Sequence, residues 1–248
     1  MTTAAIYDVH GNLPALEAVM SEIRSARVTE IIVGGDILPG PMPRETLDFL
    51  RDAAIPLRLI HGNGDRAVLD VLNGNEPTSV PAAFRPLIEW NAAQLTEDHR
   101  GWIASWPLTL TTHIAGIGSV LFCHATPRND TDIFSRNTAA DKLAPILDLP
   151  DIDVVVCGHT HMQFDRSVGN TRVVNSGSVG MPFGNPGAYW LLFDNAIQFK
   201  RTDYDRPAAA DRIRRTSYPQ AEQFASMNIL NPPSEESILT AYAAQELR

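Results

Sequence analysis

The sequence predicts an α/β protein with mixed sheets. Short apolar runs alternate with helix-periodic segments over the first sixty residues, the pattern of parallel strands joined by helices. Nearly every member of a set of Asp, Asn and His residues directly follows a short apolar run. The last runs alternate apolar and polar residues around a tight turn, which makes antiparallel strands.

Residues 4–7 form the first short strand, ending at Asp8. Asn12 is placed to cap the helix that follows, with Pro14 in its first turn. Leu13, Leu16, Val19, Met20 and Ile23 give that helix one core face. Residues 31–33 are the second strand, closed by Gly34-Gly35-Asp36. After the Pro-Gly-Pro loop at 39–41, Pro43 opens a helix carrying Leu47 and Leu50. Residues 57–60 are the third strand, running into His61-Gly62-Asn63-Gly64-Asp65.

Residues 66 to about 107 break the alternation and read as a helical insertion over the sheet edge, with loop signals at 73–75 and 77–81 and a helix start at Thr96. Its aromatics Phe84, Trp90, Trp102 and Trp106 either form a small core of their own or lend one ring to a substrate groove. Residues 108–112 and 119–123 form a hairpin, and His124 follows it. A helix over 138–149 is interrupted by Pro145, and strand 154–157 ends in Gly158-His159-Thr160-His161. A turn at 167–170 leads to a strand at 171–174, and 189–193 pairs with 196–199 around Asp194-Asn195. The whole chain, 1–248, reads as one domain with a helical tail from about 206. That tail packs either on the domain or on a second copy, so a homodimer stays open.

With 44% hydrophobic residues in 248, the chain can bury a sizeable core. The net charge of −9 disfavours stable nucleic-acid or anionic-membrane binding. Two cysteines, Cys123 and Cys157, make no disulfide framework, and no apolar run reaches the roughly 18–20 residues of a membrane span. A cytoplasmic protein is the expectation.

In open α/β sheets ligands collect at the carboxyl ends of strands. Asp8, Asp36, Asn63, His124 and His159 all sit there, so they can share one cleft. Each has a plain reading alone: Asp8 as a turn cap, Asn63 as a turn residue, His124 as a core histidine. The ordered set, with His10 and His161, is what points to metal. Carboxylate, amide and imidazole donors together suit Mn²⁺, Fe, Zn²⁺ or Ni better than an oxygen-only Ca²⁺ site. The donors suffice for two divalent ions about 3.5–4 Å apart. Such a pair needs a shared anion, and Asp36, whose glycines let the backbone crowd the site, is the candidate.

Asp8-Val9-His10-Gly11-Asn12, Gly35-Asp36, Gly62-Asn63, His124 and Gly158-His159-Thr160-His161 resemble the motifs of the calcineurin-like metallophosphoesterase superfamily, in particular its small prokaryotic phosphodiesterase branch. The resemblance implies a four-layer α/β/β/α sandwich with mixed sheets. It also implies one metal, expected to be Mn²⁺, on Asp8, His10, Asp36 and His161, and a second on Asp36, Asn63, His124 and His159. Asp36, Asn63 and His124 would then be catalytic. The implied reaction is hydrolysis of a small phosphorylated substrate, a phosphodiester or a nucleotide phosphoanhydride, by a hydroxide held between the metals. Asn12, Arg128 and Ser178 are the candidate substrate contacts; Arg128 is otherwise a solvated loop charge. The 175–182 loop, which resembles one in that branch, reads equally as an anion-binding nest or a glycine turn. Many relatives carry a histidine after the Gly-Asn pair that protonates the leaving group, and here that position is Gly64. The competing readings are a non-catalytic metal-binding scaffold of the same fold, and a phosphomonoesterase or protein phosphatase. A nuclease is disfavoured by the acidic charge.

Overall fold

The computed structural model of the chain describes residues 2–78 and 80–247. Among the described residues two five-stranded mixed sheets face one another. The first has the order β10(Ile197–Thr202), β9(Ala188–Phe193), β1(Thr3–Ile6), β2(Glu30–Val33), β3(Leu57–Leu59). The second has the order β4(Thr109–Ile114), β5(Gly118–Cys123), β6(Val154–Cys157), β8(Thr171–Asn175), β7(Phe164–Val168). In each sheet the strands feeding the site are parallel: β1 to β2 to β3, and β5 to β6 to β8.

The period-two alternation of strand side chains decides the layering. Ala4 and Ile6 point to one core, with Leu16, Val19 and Met20 of α1(Leu13–Ser25) and Leu47 of α2(Pro43–Arg51). Ala5 and Tyr7 point the other way, into a second core shared with Phe122, Val154, Val156 and Val174 of the facing sheet. Val155 and Cys157 then face outward onto Leu143 and Leu147 of α6(Ala140–Leu147). The result is the four-layer α/β/β/α sandwich. Asn12 caps α1, its side chain accepting from Ala15 N at 3.3 Å, and Thr96 caps α5(Glu97–Ala104).

Two elements correct the sequence reading. The helix α3(Asn63–Leu72) begins already at Asn63, in the segment read as a strand-end turn, and runs on into the stretch from 66. Gly62-Asn63-Gly64 has turn composition, but Asp65 at the third helical position accepts from Gly62 N at 3.0 Å and closes the first turn. Strand β7 was hidden because Asp165, Arg166 and Ser167 interrupt its apolar pattern. It is an edge strand, so only one side needs pairing, and Arg172 of β8 holds Asp165 across the ladder at 2.6 Å.

Between β3 and β4 lie α3, α4(Arg85–Ala93) and α5. Trp102 packs edge-on against Trp106, and Trp90 against Tyr218 of the tail. Phe84 is exposed. The tail comprises α7(Arg206–Arg214), α8(Ala221–Phe224), a π-helical turn (Ala225–Leu230) and α9(Glu235–Ala243). It packs on its own chain: Ala210, Ile213, Phe224 and Ile229 cluster with Leu87 of α4, and Arg212 pairs with Glu17 of α1 at 2.7 Å. No described helix is long and apolar enough to cross a membrane.

Glycine is required where the strand ends crowd. Gly35 has φ +92°, and a Cβ there would lie 2.4 Å from the Gly62 backbone nitrogen. Gly35→Ala is therefore expected to destabilise the fold by about 1–3 kcal/mol, measured as the shift in a urea unfolding curve at constant m-value. An unchanged midpoint would contradict this packing.

Candidate metal centre

The carboxyl ends of β1, β2, β5 and β6 carry Asp8, Asp36, His124 and His159 one to three residues beyond their last strand residues. The chain turns sharply there. Asp8, His10, Asp36, His159 and His161 all have positive φ, between 46° and 64°. Non-glycine residues rarely adopt this conformation, and strain of this kind gathers at functional sites. Backbone bonds hold it in place: Asp8 N donates to Gly35 O at 3.0 Å, His10 N to Asp36 O at 2.9 Å, and Gly158 N to His124 O at 2.8 Å.

The side chains converge in two groups, Asp8 with His10 and His161, and Asp36 with His124 and His159. Within each, one ligand atom per residue lies within 4.8 Å of the others. His10 Nε2 and His161 Nε2 are 3.2 Å apart, and Asp8 Oδ1 is 3.3 Å from His161 Nε2. Asp36 Oδ2 lies between the groups, 3.5 Å from His124 Nε2 and 3.7 Å from His10 Nε2. Its other oxygen accepts from Gly64 N at 2.7 Å.

Carbonyl oxygens orient three of the imidazoles. His10 Nδ1 faces Pro39 O at 3.2 Å, His124 Nδ1 faces Gly34 O at 2.9 Å, and His161 Nδ1 faces Met181 O at 2.7 Å. A carbonyl only accepts, so each Nδ1 donates, which turns Nε2 inward as the ring atom left to meet a cation.

Charge in this buried site is unbalanced. Burial favours neutral carboxyls, yet the imidazoles outweigh it: His161 and His124 hold Asp8 below the usual range, and His124 and His10 do so for Asp36. His124 is pulled down by burial but pushed up to about 10 by Asp36 and Asp8. Burial and then the neighbouring His124 push His159 down to about 4. The two carboxylates thus demand a positive charge at this spot.

Two observations test whether a cation fits. Asp8 Oδ1 is buried and has no hydrogen-bond partner among the described residues, while Asp8 Oδ2 accepts from His159 N at 3.0 Å. The Asn63 side-chain oxygen points at His159 Nδ1, 3.0 Å away, and at His124 Nε2, 3.2 Å away. Turning that amide would make hydrogen bonds, but with its oxygen inward three electron-pair donors face one point, which a cation satisfies. The residues therefore fit a bound divalent metal of the imidazole- and oxygen-binding kind.

The predicted substrate contacts fare differently. Asn12 is buried and donates to Gly180 O at 3.0 Å, and Ser178 is buried and donates to Asp8 O at 2.7 Å. Both fasten the site loops. Arg128 is held by Asp132, 2.5 Å away, and is not among the residues lining the cavity beside the metal groups. The 175–182 loop is the glycine-turn alternative and not a nest. The backbone N–H groups of Ser176, Gly177, Val179, Gly180 and Met181 all donate within the protein.

Sequence reasoning missed Asn175. Its amide nitrogen donates to Gly158 O at 2.7 Å and to Thr160 Oγ1 at 3.1 Å, and its oxygen accepts from Gly177 N at 2.8 Å. One buried side chain thus ties the His159–His161 turn to the loop that orients His161. The signal was its place at the end of a strand, as for the other site residues. Sequence reasoning also missed a cavity of about 430 Å³ that opens on His10, Asp36 and Asn63. Its far wall is tail residues with no motif.

The family model for the calcineurin-like phosphoesterase superfamily domain matches residues 1–195. The chain belongs to this superfamily. It is 28% identical over 238 residues to an uncharacterized protein of Methanocaldococcus jannaschii, covering 88% of this chain and 93% of that one. A crystal structure of a metallophosphoesterase from Sphaerobacter thermophilus superposes with a TM-score of 0.71 at 27% identity, over 91% of this chain and 97% of that one. A hypothetical protein from Pyrococcus horikoshii shares the fold with a TM-score of 0.79 at 19% identity, over 94% and 99% of the two chains. The superfamily assignment agrees with the phosphoesterase motifs, and the match stops before the tail helices α7 to α9.

Asn175→Ala leaves Gly158 O and Gly177 N without these partners. The expected cost is about 1–3 kcal/mol of stability for each buried group left unpaired, with metal affinity about 10–100-fold weaker. Chemical denaturation and elemental analysis after dialysis measure the two effects, and retention of metal at the wild-type level would remove Asn175 from this role.

Proposed function

We propose that this superfamily member is a dimetal phosphoesterase acting on phosphodiesters or nucleotide phosphoanhydrides. The carrying observation is the convergence of two Asp/His groups on either side of Asp36 Oδ2. Asp8, His10, Asp36 and His161 would hold one cation, and Asp36, Asn63, His124 and His159 the other, with Mn²⁺ the expected metal. When bound, two such cations neutralise phosphate oxygens and lower the pKa of a water toward 7.

The residues of the chain position and exclude. Asp36 links the groups, and Gly64 N–H holds its outer oxygen so that Oδ2 stays inward. Asn63 is delivered by the first turn of α3, and Asp65 locks that turn by accepting from Gly62 N and Leu38 N, both at 3.0 Å. Burial, with Asp36 adding to it, pushes the Asp65 carboxyl up to about 8. The presence of every ligand type supports catalysis over a scaffold role. The acidic chain and the small cavity support a small phosphorylated substrate over a nucleic acid or a membrane. Buried, free Cys123 and Cys157 are consistent with a reducing cytoplasm.

The position after Asn63 has no room for a side chain: a Cβ on Gly64 would lie 2.3 Å from Leu38 O. A positioned acid usually contributes about 10²–10⁴-fold, most for poor leaving groups. Activity should therefore fall steeply as the leaving-group pKa rises, across a series of aryl to alkyl phosphodiesters. A flat dependence would show that another group supplies the proton.

The direct assay is hydrolysis of bis-p-nitrophenyl phosphate with Mn²⁺. Turnover is expected to vanish with a chelator, return with Mn²⁺, and drop by about 10²-fold or more in Asp36→Ala. Metal-independent turnover, or full activity in Asp36→Ala, contradicts the proposal.

A further inference from the structure

The cavity beside the metal groups has a wall that the superfamily motifs do not supply. One end is His10, Asp36, Asn63 and Gly64. The opposite wall comes from the insertion, with Val80, Phe84, Leu87 and Ile88, and from the tail, beyond the residues that the family model matches. Gln220, Gln223, Phe224, Met227 and Asn228 recur at helical spacing, so one face of α8 and its π-helical continuation lines the space. A volume of about 430 Å³ lies in the range of small-molecule sites, roughly 300–1,000 Å³.

The chemistry of this wall is particular. Away from Asp36 and His10 it carries no Asp, Glu, Lys, Arg or His. A second phosphate there would find no cationic side chain, so this wall suits an uncharged group. Phe84 and Met227 remain 53% and 48% exposed at the cavity, an apolar surface a ligand can cover. Three amides, Gln220, Gln223 and Asn228, face the same space. The side-chain hydrogen bonds of this segment run through Glu222, Ser226 and Asn231, and the three amides take no partner among the described residues. Each offers a donor and an acceptor side by side, the pairing that reads the edge of a heterocyclic base. An aliphatic chain would use the apolar rim and leave the amides idle.

We infer that the insertion and the tail form a specificity pocket for an uncharged aromatic heterocycle, the base of a nucleoside phosphoester whose phosphate lies at the Asp36 end. This rests on the phosphoesterase reading for the phosphate alone. Adenosine, which carries no phosphate, therefore tests the pocket separately.

The experiment is calorimetric titration of the intact 248-residue chain, as purified, with adenosine and with an uncharged alkyl glucoside. Adenosine is expected to bind, and Phe84→Ala and Asn228→Ala each to weaken it by roughly tenfold, since stacking and amide pairing contribute on that scale. Both residues are partly exposed, so the variants should fold, as circular dichroism will report. Absence of adenosine binding, equal binding by both folded variants, or binding of the glucoside in preference would each overturn the pocket. The manganese-dependent assay on wild type separately decides the phosphoesterase reading: adenosine binding without turnover would sink that reading and leave the pocket standing.

Discussion

Two carboxylates, Asp8 and Asp36, are buried side by side at the strand ends, and everything around them is arranged to make that tolerable. Burying a carboxylate without compensation costs many kcal/mol. Four imidazoles surround the pair, and carbonyl oxygens aim three of their Nε2 atoms inward. The compensation remains incomplete, because Asp8 Oδ1 has no partner among the described residues and Asn63 turns an acceptor toward two more. Bound cations would complete it.

The backbone follows from the same demand. Five residues of the set accept the left-handed conformation because only a sharp turn directly after each strand brings its side chain back over the sheet edge. Gly35 and Gly62 let two such turns touch, and the Ser178 and Asn175 hydrogen bonds lock a third loop across both sheets. Strain at the site is thus carried by two packed sheets whose cores are continuous apolar layers.

The α/β alternation and the strand-end placement of the candidate ligands were legible because both rest on local pattern, while the four layers came from the family resemblance. Strand alternation, the Asn12 and Thr96 caps and the Asp194-Asn195 turn are short-range signals, and residues at strand ends inherit their place from the strands. What was hidden depends on distant partners. Strand β7 exists because β8 pairs with it, despite three polar residues. Asn175 matters because it joins its own loop at Gly177 to the Gly158–Thr160 turn, which it meets only in three dimensions. Asn12, Ser178 and Arg128 carried phosphate-binding chemistry in their residue types, but the fold spends them on other bonds. The cavity wall is invisible in sequence because it joins 80–88 to 220–233, segments that share no motif.

The account rests on paired cations around Asp36. Anomalous diffraction at the manganese edge, from crystals grown with Mn²⁺, tests it most directly. Two peaks are predicted about 3.5–4 Å apart. One should be bounded by Asp8, His10 and His161, the other by Asn63, His124 and His159, with Asp36 touching both. No peak among these side chains, or a single peak away from Asp36, would contradict it.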